Sequence, residues 1–204
     1  MATESYLPGA TTIGLRCKDG VILASEKRVS YGFTLVSKAG KKVFKINNRL
    51  GLACAGMIAD MQAIARTLAA EVNLYELENG RIMPIKSAAK LLSVILFNRR
   101  YTPYLTETLI GGIDNEGPHL FVLDPIGSLI EDDYAVLGTG AKIAIGIIET
   151  SYKKDVSVKE GKDLAIRAIK AATSRDAISG DGIDVLSITN QGAEEETIPL
   201  APSI

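Results

Sequence analysis

A single histidine, two cysteines and no surplus of either charge remove several classes of function before any motif is read. His119 alone cannot build a histidine-rich metal site, and its run His119–Leu123 is strand-like, so it reads as structural. Cys17 and Cys54 lack the C-x-x-C spacing of a zinc or redox motif. Both lie in apolar runs and read as small buried hydrophobes in a reducing compartment. With 23 basic and 24 acidic side chains the formal net charge is -1. No basic excess prepares the chain for a phosphate backbone, so nucleic acid is not an expected partner. No apolar stretch reaches bilayer length, and the segment Ala88–Phe97 is interrupted by Lys90 and Ser93. Residues 1–9 carry neither a basic n-region nor an apolar h-region, so no signal peptide and no membrane association are expected, and the expected location is the cytoplasm. No metal and no cofactor are expected.

What remains is an ordinary globular chain of 204 residues, 47% hydrophobic and 23% charged, long enough for one domain with a substantial core. There is no internal repeat, low-complexity segment or dividing linker. Strand-like runs come first: Thr11–Cys17, the turn Lys18-Asp19-Gly20, and Val21–Glu26. Lys42–Ile46 and Leu50–Cys54 follow, parted by Asn47-Asn48. The period then becomes helical over Ile58–Leu77, with Met61, Ile64, Leu68 and Val72 on one face and Asn79-Gly80 as the stop. Pro84 suits the first turn of a second helix striped by Ala88, Leu91, Leu92, Ile95 and Leu96, and Pro103 is expected to end it. Strands are predicted at Thr106–Ile110, His119–Leu123 and, more weakly, Gly127–Ile130. Helices are predicted at Lys142–Tyr152 and Val158–Ser174, and a last strand at Ile183–Thr189. The acidic run Glu194-Glu195-Glu196 before Pro199 and Pro202 is expected to be a frayed or partner-docked end. Groups of strands alternating with pairs of helices indicate a layered α+β fold. Strands apolar on both faces, such as Gly51–Ala55, call for two sheets packed together with helices outside each.

Glycines cluster at Gly56, Gly111-Gly112, Gly138-Thr139-Gly140 and Gly180-Asp181-Gly182. The first and third sites stand between a strand and a helix, where free backbone N–H groups can hold an oxyanion. Taken singly, each glycine is explained by a tight turn. Nucleotide binding fails on spacing: a G-x-G-x-x-G loop would need glycine at Ile143, and Gly140-Ala141-Lys142-Ile143 lacks the Walker pattern. Polar residues at strand and helix ends are more informative. Glu26 closes a strand, Lys42 opens another, and Asp176 and Ser179 follow a helix. A lysine beside carboxylates in a partly buried site can have its pKa lowered and assist proton transfer. Read one at a time, these residues look like surface or capping groups, and Lys41-Lys42 looks solvated.

Read together, Gly9-Ala10-Thr11-Thr12-Ile13-Gly14-Leu15, Lys18–Arg28, Lys41–Phe44, Ala55-Gly56 with Asp60, Gly111–Asp114, Gly138–Gly140 and Arg175–Gly180 resemble proteasome β subunits, the archaeal type above all. The likeness runs in order over roughly residues 9 to 190. It implies the four-layer αββα sandwich of N-terminal nucleophile hydrolases. It also implies a compartmental threonine-type endopeptidase in which a propeptide is cut after a glycine by the threonine that follows. The freed α-amino group then acts as that hydroxyl's base.

By this resemblance residues 1–9 are a short propeptide-like segment, 10–204 the single domain, and Gly9 precedes the cut. Lys42 matches the lysine that tunes the site, Glu26 a carboxylate, more usually aspartate, that pairs with it, and Gly56 the oxyanion-hole glycine. Asp176 and Ser179 match the residues that position the amino terminus, and Thr139 stands where serine is usual. Val29, Gly40, Cys54, Ile58 and Gln62 match the pocket for the substrate side chain before the scissile bond. Partners implied are α-type subunits, other β-type subunits in seven-membered rings, and unfolded polypeptide substrates.

One position departs. Ala10 occupies the place of the threonine nucleophile, and a methyl group cannot attack a carbonyl. The expected outcome is a silent site, whether in a natural noncatalytic paralogue or in a subunit whose nucleophile was replaced. Glu26 and Thr139 also drift from the commonest residues, which favours the paralogue. The alternative is an active peptidase using Thr11 after a shifted cut. Strand alternation turns Thr11 to the opposite face, which disfavours it. An architectural α-type subunit is disfavoured because those carry an extra helix where only nine residues precede this first strand.

Overall fold

The computed structural model describes residues 9–32 and 34–200. Twelve strands and four helices lie within them. β1 (Thr12–Cys17), β2 (Gly20–Glu26), β10 (Tyr134–Leu137), β11 (Ile183–Thr189) and β12 (Gly192–Ile198) form one antiparallel sheet in the order β10-β1-β2-β11-β12. β5 (Val43–Lys45), β6 (Leu50–Gly56), β7 (Thr106–Asp114), β8 (Gly117–Leu123) and β9 (Ile130–Glu131) form the other, in chain order. A hairpin of β3 (Val29–Tyr31) and β4 (Thr34–Ser37) stands apart from both.

Three apolar clusters set the layering. Side chains from α1 (Ile58–Asn79) and α2 (Ile85–Asn98), including Met61, Leu68, Ala88 and Leu92, pack with Leu50, Leu52 and Cys54 of β6. Ala144 and Ile148 of α3 (Ala141–Ser151) and Leu164, Ala168 and Ala172 of α4 (Val158–Thr173) pack with Ile13, Leu15 and Cys17 of β1. Between the sheets lie Val21, Leu23, Ala53, Ala55, Leu109, Leu120, Leu186 and Ile188. The result is helices, sheet, sheet, helices: the α+β sandwich of the N-terminal nucleophile hydrolase type. Each fully buried Leu or Ile in these layers contributes about 1.5–3 kcal/mol.

The period of two explains how one strand serves two layers. Ile13, Leu15 and Cys17 face α3 and α4, whereas Gly14 faces Leu109 and Leu120 of the second sheet. A Cβ on Gly14 would press into Leu120, so glycine here permits close approach of the sheets. Helix ends follow local chemistry. Gly80, at φ 62°, closes α1, and Ser157 and Glu160 form a reciprocal capping box at the start of α4.

Several expectations are corrected. The acidic tail is not frayed: Glu194–Glu196 belong to β12, which pairs along the whole of β11 from Ile183↔Ile198 to Thr189↔Gly192. A charged edge strand tolerates such a run, and Lys41 and Lys162 pair with Glu195 and Glu196. The predicted strand Gly127–Ile130 shrinks to Ile130–Glu131, because Gly127 turns the chain at φ 90°. β10 then crosses to the other sheet and pairs with β1. α2 stops at Asn98, ahead of Pro103. β3, β4 and β10 are short and had no sequence signal long enough to read. Residues 1–8 of the propeptide-like segment, and Pro202, fall outside the described residues.

Cys17 and Cys54 are buried, and burial pushes both thiols up to about 12 from their ordinary value of 9.0. Neither thiol should react with a thiol reagent at pH 8 in the native chain, and both should react after denaturation. Because the unfolded thiols ionise first, stability should fall as pH rises from about 9 towards 12. Thiol titration and denaturant melts across that range check both outcomes.

Candidate active site

Four segments converge at one end of β1: the end of β2, the lead into β5, the β10–α3 junction and the loop after α4. Glu26 closes β2 and is 1% exposed; Lys42 precedes β5 and is also 1% exposed. The Lys42 Nζ donates to Glu26 Oε1 and to the Arg28 carbonyl at 2.7 Å. Glu26 Oε2 accepts from the backbone N–H of Arg28 at 2.7 Å and of Gly180 at 2.9 Å. Burial lowers the Lys42 amine from the ordinary lysine value, against the attraction of Glu26. Burial likewise raises the Glu26 carboxyl, against Lys42 and the two backbone donors. Two of the three ammonium N–H bonds are used in this way, which leaves one for a neighbouring acceptor. Lys42, which reads as solvated in the sequence, is thus among the largest fully buried side chains.

A second group of polar side chains joins the first through Gly180. Ser179, buried, donates to Asp176 Oδ2 at 2.7 Å, and Thr139 donates to the same oxygen at 2.5 Å. Thr139 Oγ1 also lies 3.4 Å from the Ala10 carbonyl oxygen, which accepts from the Gly140 N–H at 3.3 Å. Asp176 adds its negative field at Lys42. Thr139 and Gly140 lie at the start of α3, where backbone N–H groups are free to bind such an acceptor.

Ala10 joins the second of these groups through its carbonyl. It is fully buried, and its methyl group belongs to the layer between the sheets, with Val43, Ala53, Ala55 and Leu137. Gly138, at φ 89°, runs so close that a Cβ there would strike the Ala10 carbonyl and touch the Ala55 methyl. This places the end of β6 beside residue 10. Gly56 ends β6 at φ 141° and leads through Met57 into α1. Its own Cβ would collide with the Leu105 carbonyl, so only glycine fits the strand-to-helix turn. Gly9 is packed against Ile178 just ahead of Ala10.

Thr11 points the other way. Its hydroxyl is buried and lies 2.8 Å from Ser179 Oγ. Thr12 returns to the inter-sheet face, where it donates to the Cys54 carbonyl at 2.9 Å.

Of the five residues expected to line a side-chain pocket, Val29, Gly40 and Ile58 come together: a Cβ on Gly40 would meet the Val29 methyl and reach Ile58. Gln62 lies exposed one helical turn beyond Ile58. Cys54 is sealed beneath them, in the core cluster against which Ile58 packs. Two contributors were missed in the sequence, the Arg28 backbone and the Gly180 N–H. The Gly180-Asp181-Gly182 cluster signalled a turn at the second of these, and nothing in the sequence marked the first. Asp181 sits at φ 67° and holds the Arg28 guanidinium at 2.7 Å.

A family model described as "Proteasome subunit" matches residues 7–188. The chain is 57% identical to "Proteasome subunit beta 2" of Pyrobaculum calidifontis over 197 residues, 97% of each chain. It is 55% identical to "Proteasome subunit beta 2" of Caldivirga maquilingensis over 200 residues, 98% of this chain and 100% of that one. It is 52% identical to "Proteasome subunit beta 1" of Ignicoccus hospitalis over 181 residues, 89% and 91% of the two chains.

Removing one partner of the buried pair should be costly. Lys42→Ala is expected to destabilise the chain by about 3–5 kcal/mol, because it strands the Glu26 carboxylate. The double change Glu26→Gln with Lys42→Met should cost less than Lys42→Ala alone. Denaturant unfolding of the three chains checks the ranking.

Proposed function

The chain belongs to the proteasome subunit family, as a β-type subunit of the 20S core particle, and from that premise we propose that its own peptidase site is silent. The observation that carries this reading is Ala10. A hydrolase of this kind needs a hydroxyl and an α-amino group on one residue, and the residue beside Thr139 and the end of β6 offers a methyl group. Residues 1–9 then form a leader that stays attached, and 10–204 form the domain. Gly9, Ala10, Glu26, Lys42, Gly56, Thr139, Asp176 and Ser179 are the site's parts, and Val29, Gly40, Cys54, Ile58 and Gln62 its side-chain pocket.

The chemistry such a site would perform is legible from its parts. A hydroxyl at residue 10 would have the Lys42 ammonium to stabilise it as it loses its proton. The Gly56 N–H would stabilise charge developing on the attacked carbonyl. Thr139, Asp176 and Ser179 would hold the α-amino group that takes up the proton. A shifted start at Thr11 finds little support, because that hydroxyl lies on the far face of the strand and is bonded to Ser179.

The particle gives the chain a role without chemistry. It walls the chamber in a ring of β-type subunits, against α-type subunits on one face, while an active neighbour cuts unfolded polypeptide. Leu74, Leu77, Ile82, Phe97 and Tyr101, exposed on and beside α1 and α2, support such packing. Glu26 and Thr139, in place of aspartate and serine, favour a natural noncatalytic subunit over a designed replacement. No helix among the described residues is long and apolar enough to cross a membrane.

In assembled particles the intact mass of this chain should retain the residues before Ala10, apart from loss of Met1. A mature chain starting at Thr11 would overturn the proposal. Ala10→Thr should restore both self-cleavage after Gly9 and peptide hydrolysis. An assembled Ala10→Thr chain that stays uncut would show that Lys42 and its neighbours do not form the site described.

A further inference from the structure

Neither the ion pair nor the methyl group at residue 10 accounts for Thr11. It is a fully buried hydroxyl on the face of the strand turned away from the reaction site. Its bond to Ser179 acquires a direction once protons are counted. A carboxylate only accepts, and each hydroxyl has one proton to give. Ser179 spends its proton on Asp176 Oδ2, at 2.7 Å, so it has none for Thr11. Thr11 is therefore the donor and Ser179 the acceptor in the 2.8 Å contact between them. Thr139 likewise gives its proton to Asp176, at 2.5 Å, so the Ala10 carbonyl is held by the Gly140 N–H. The hydroxyls run in a single sense: Thr11 to Ser179, Ser179 to Asp176, and Thr139 to Asp176 from the other side.

The packing around Thr11 holds its hydroxyl in place. A Cβ on Gly140 would strike the Thr11 hydroxyl, so the chain passes against it at the N-terminal cap of α3. The next residue after Ser179 is Gly180, whose N–H donates to Glu26 and whose carbonyl accepts from Lys27 at 3.1 Å. The 176–180 loop is thus pinned to Thr11, just ahead of β1, and to the end of β2 at adjacent residues, once through a side chain and once through the backbone.

We propose that Thr11 is a positioning residue: by donating to Ser179 it holds in place the serine hydroxyl that supports Asp176, and through Asp176 it steadies Thr139 beside residue 10. This rests on the site proposed above, and two substitutions separate the donor from the shape. Thr11→Val keeps the size and loses the proton, whereas Thr11→Ser keeps the proton and loses a methyl group.

The first arm of the test uses the chain with Ala10 in place and reads backbone amide hydrogen exchange. Thr11→Val should speed exchange at Ser179 and Gly180 about tenfold, the loss of roughly one hydrogen bond, and leave Ile13 and Leu15 unchanged. Thr11→Ser should exchange like the unsubstituted chain. The second arm adds each change to Ala10→Thr in assembled particles. There Thr11→Val should lower kcat about tenfold with KM held within about twofold, and Thr11→Ser should restore it. Unchanged exchange at Ser179 and Gly180 in Thr11→Val, or an unchanged kcat, overturns the proposal, as does a Thr11→Ser chain that behaves like the valine one. If Ala10→Thr alone is never cut, the functional reading fails and the exchange arm decides the role of Thr11 by itself.

Discussion

The arrangement depends on a salt bridge with almost no water around it. Taking Lys42 and Glu26 out of solvent is expensive, and their attraction offsets that cost only if the remaining polar valences are filled. Here they are filled by the Arg28 carbonyl on one side and by the Arg28 and Gly180 N–H groups on the other. The pair therefore ties together the end of β2, the lead into β5 and the loop after α4. The pair thus has a structural duty that does not require catalysis, which is a physical reason for it to coexist with a methyl group at residue 10.

The sandwich supplies the setting. Two sheets back to back bury both faces of β1, so its alternating side chains meet two different environments. The even positions reach the second sheet and the polar site, and the odd positions reach α3, α4 and the Ser179 loop. A single shift along the strand would exchange these environments. Residue 10 and residue 11 are thus not interchangeable, although they are adjacent.

Much of this was legible in the sequence because long, strongly patterned elements dominate it. The stripe Met61, Ile64, Leu68, Val72 gave α1, and the doubly apolar strands implied paired sheets. The short pieces were not legible. β10 has four residues beside an acidic turn, and its partner β1 is more than a hundred positions away. β12 hid behind three glutamates, whose charge argued for solvent and is in fact tolerated at a sheet edge. Within the site, Lys42 reads as solvated until the resemblance assigns it a role, because burial is a property of the fold and not of the dipeptide Lys41-Lys42. The Gly180 N–H and the Arg28 backbone carry no side-chain signature at all. Thr11 was recognised as turned away, but its partner Ser179 is 168 positions distant.

The central claim is that the residue offered to the polar site carries no nucleophile. The most direct measurement treats assembled particles with an electrophilic peptide, such as a vinyl sulfone that alkylates an activated hydroxyl, and maps adducts by mass. The account expects the label on a catalytic neighbour and none on this chain. An adduct on this chain, at Thr11 or at any other hydroxyl of the site, would contradict it.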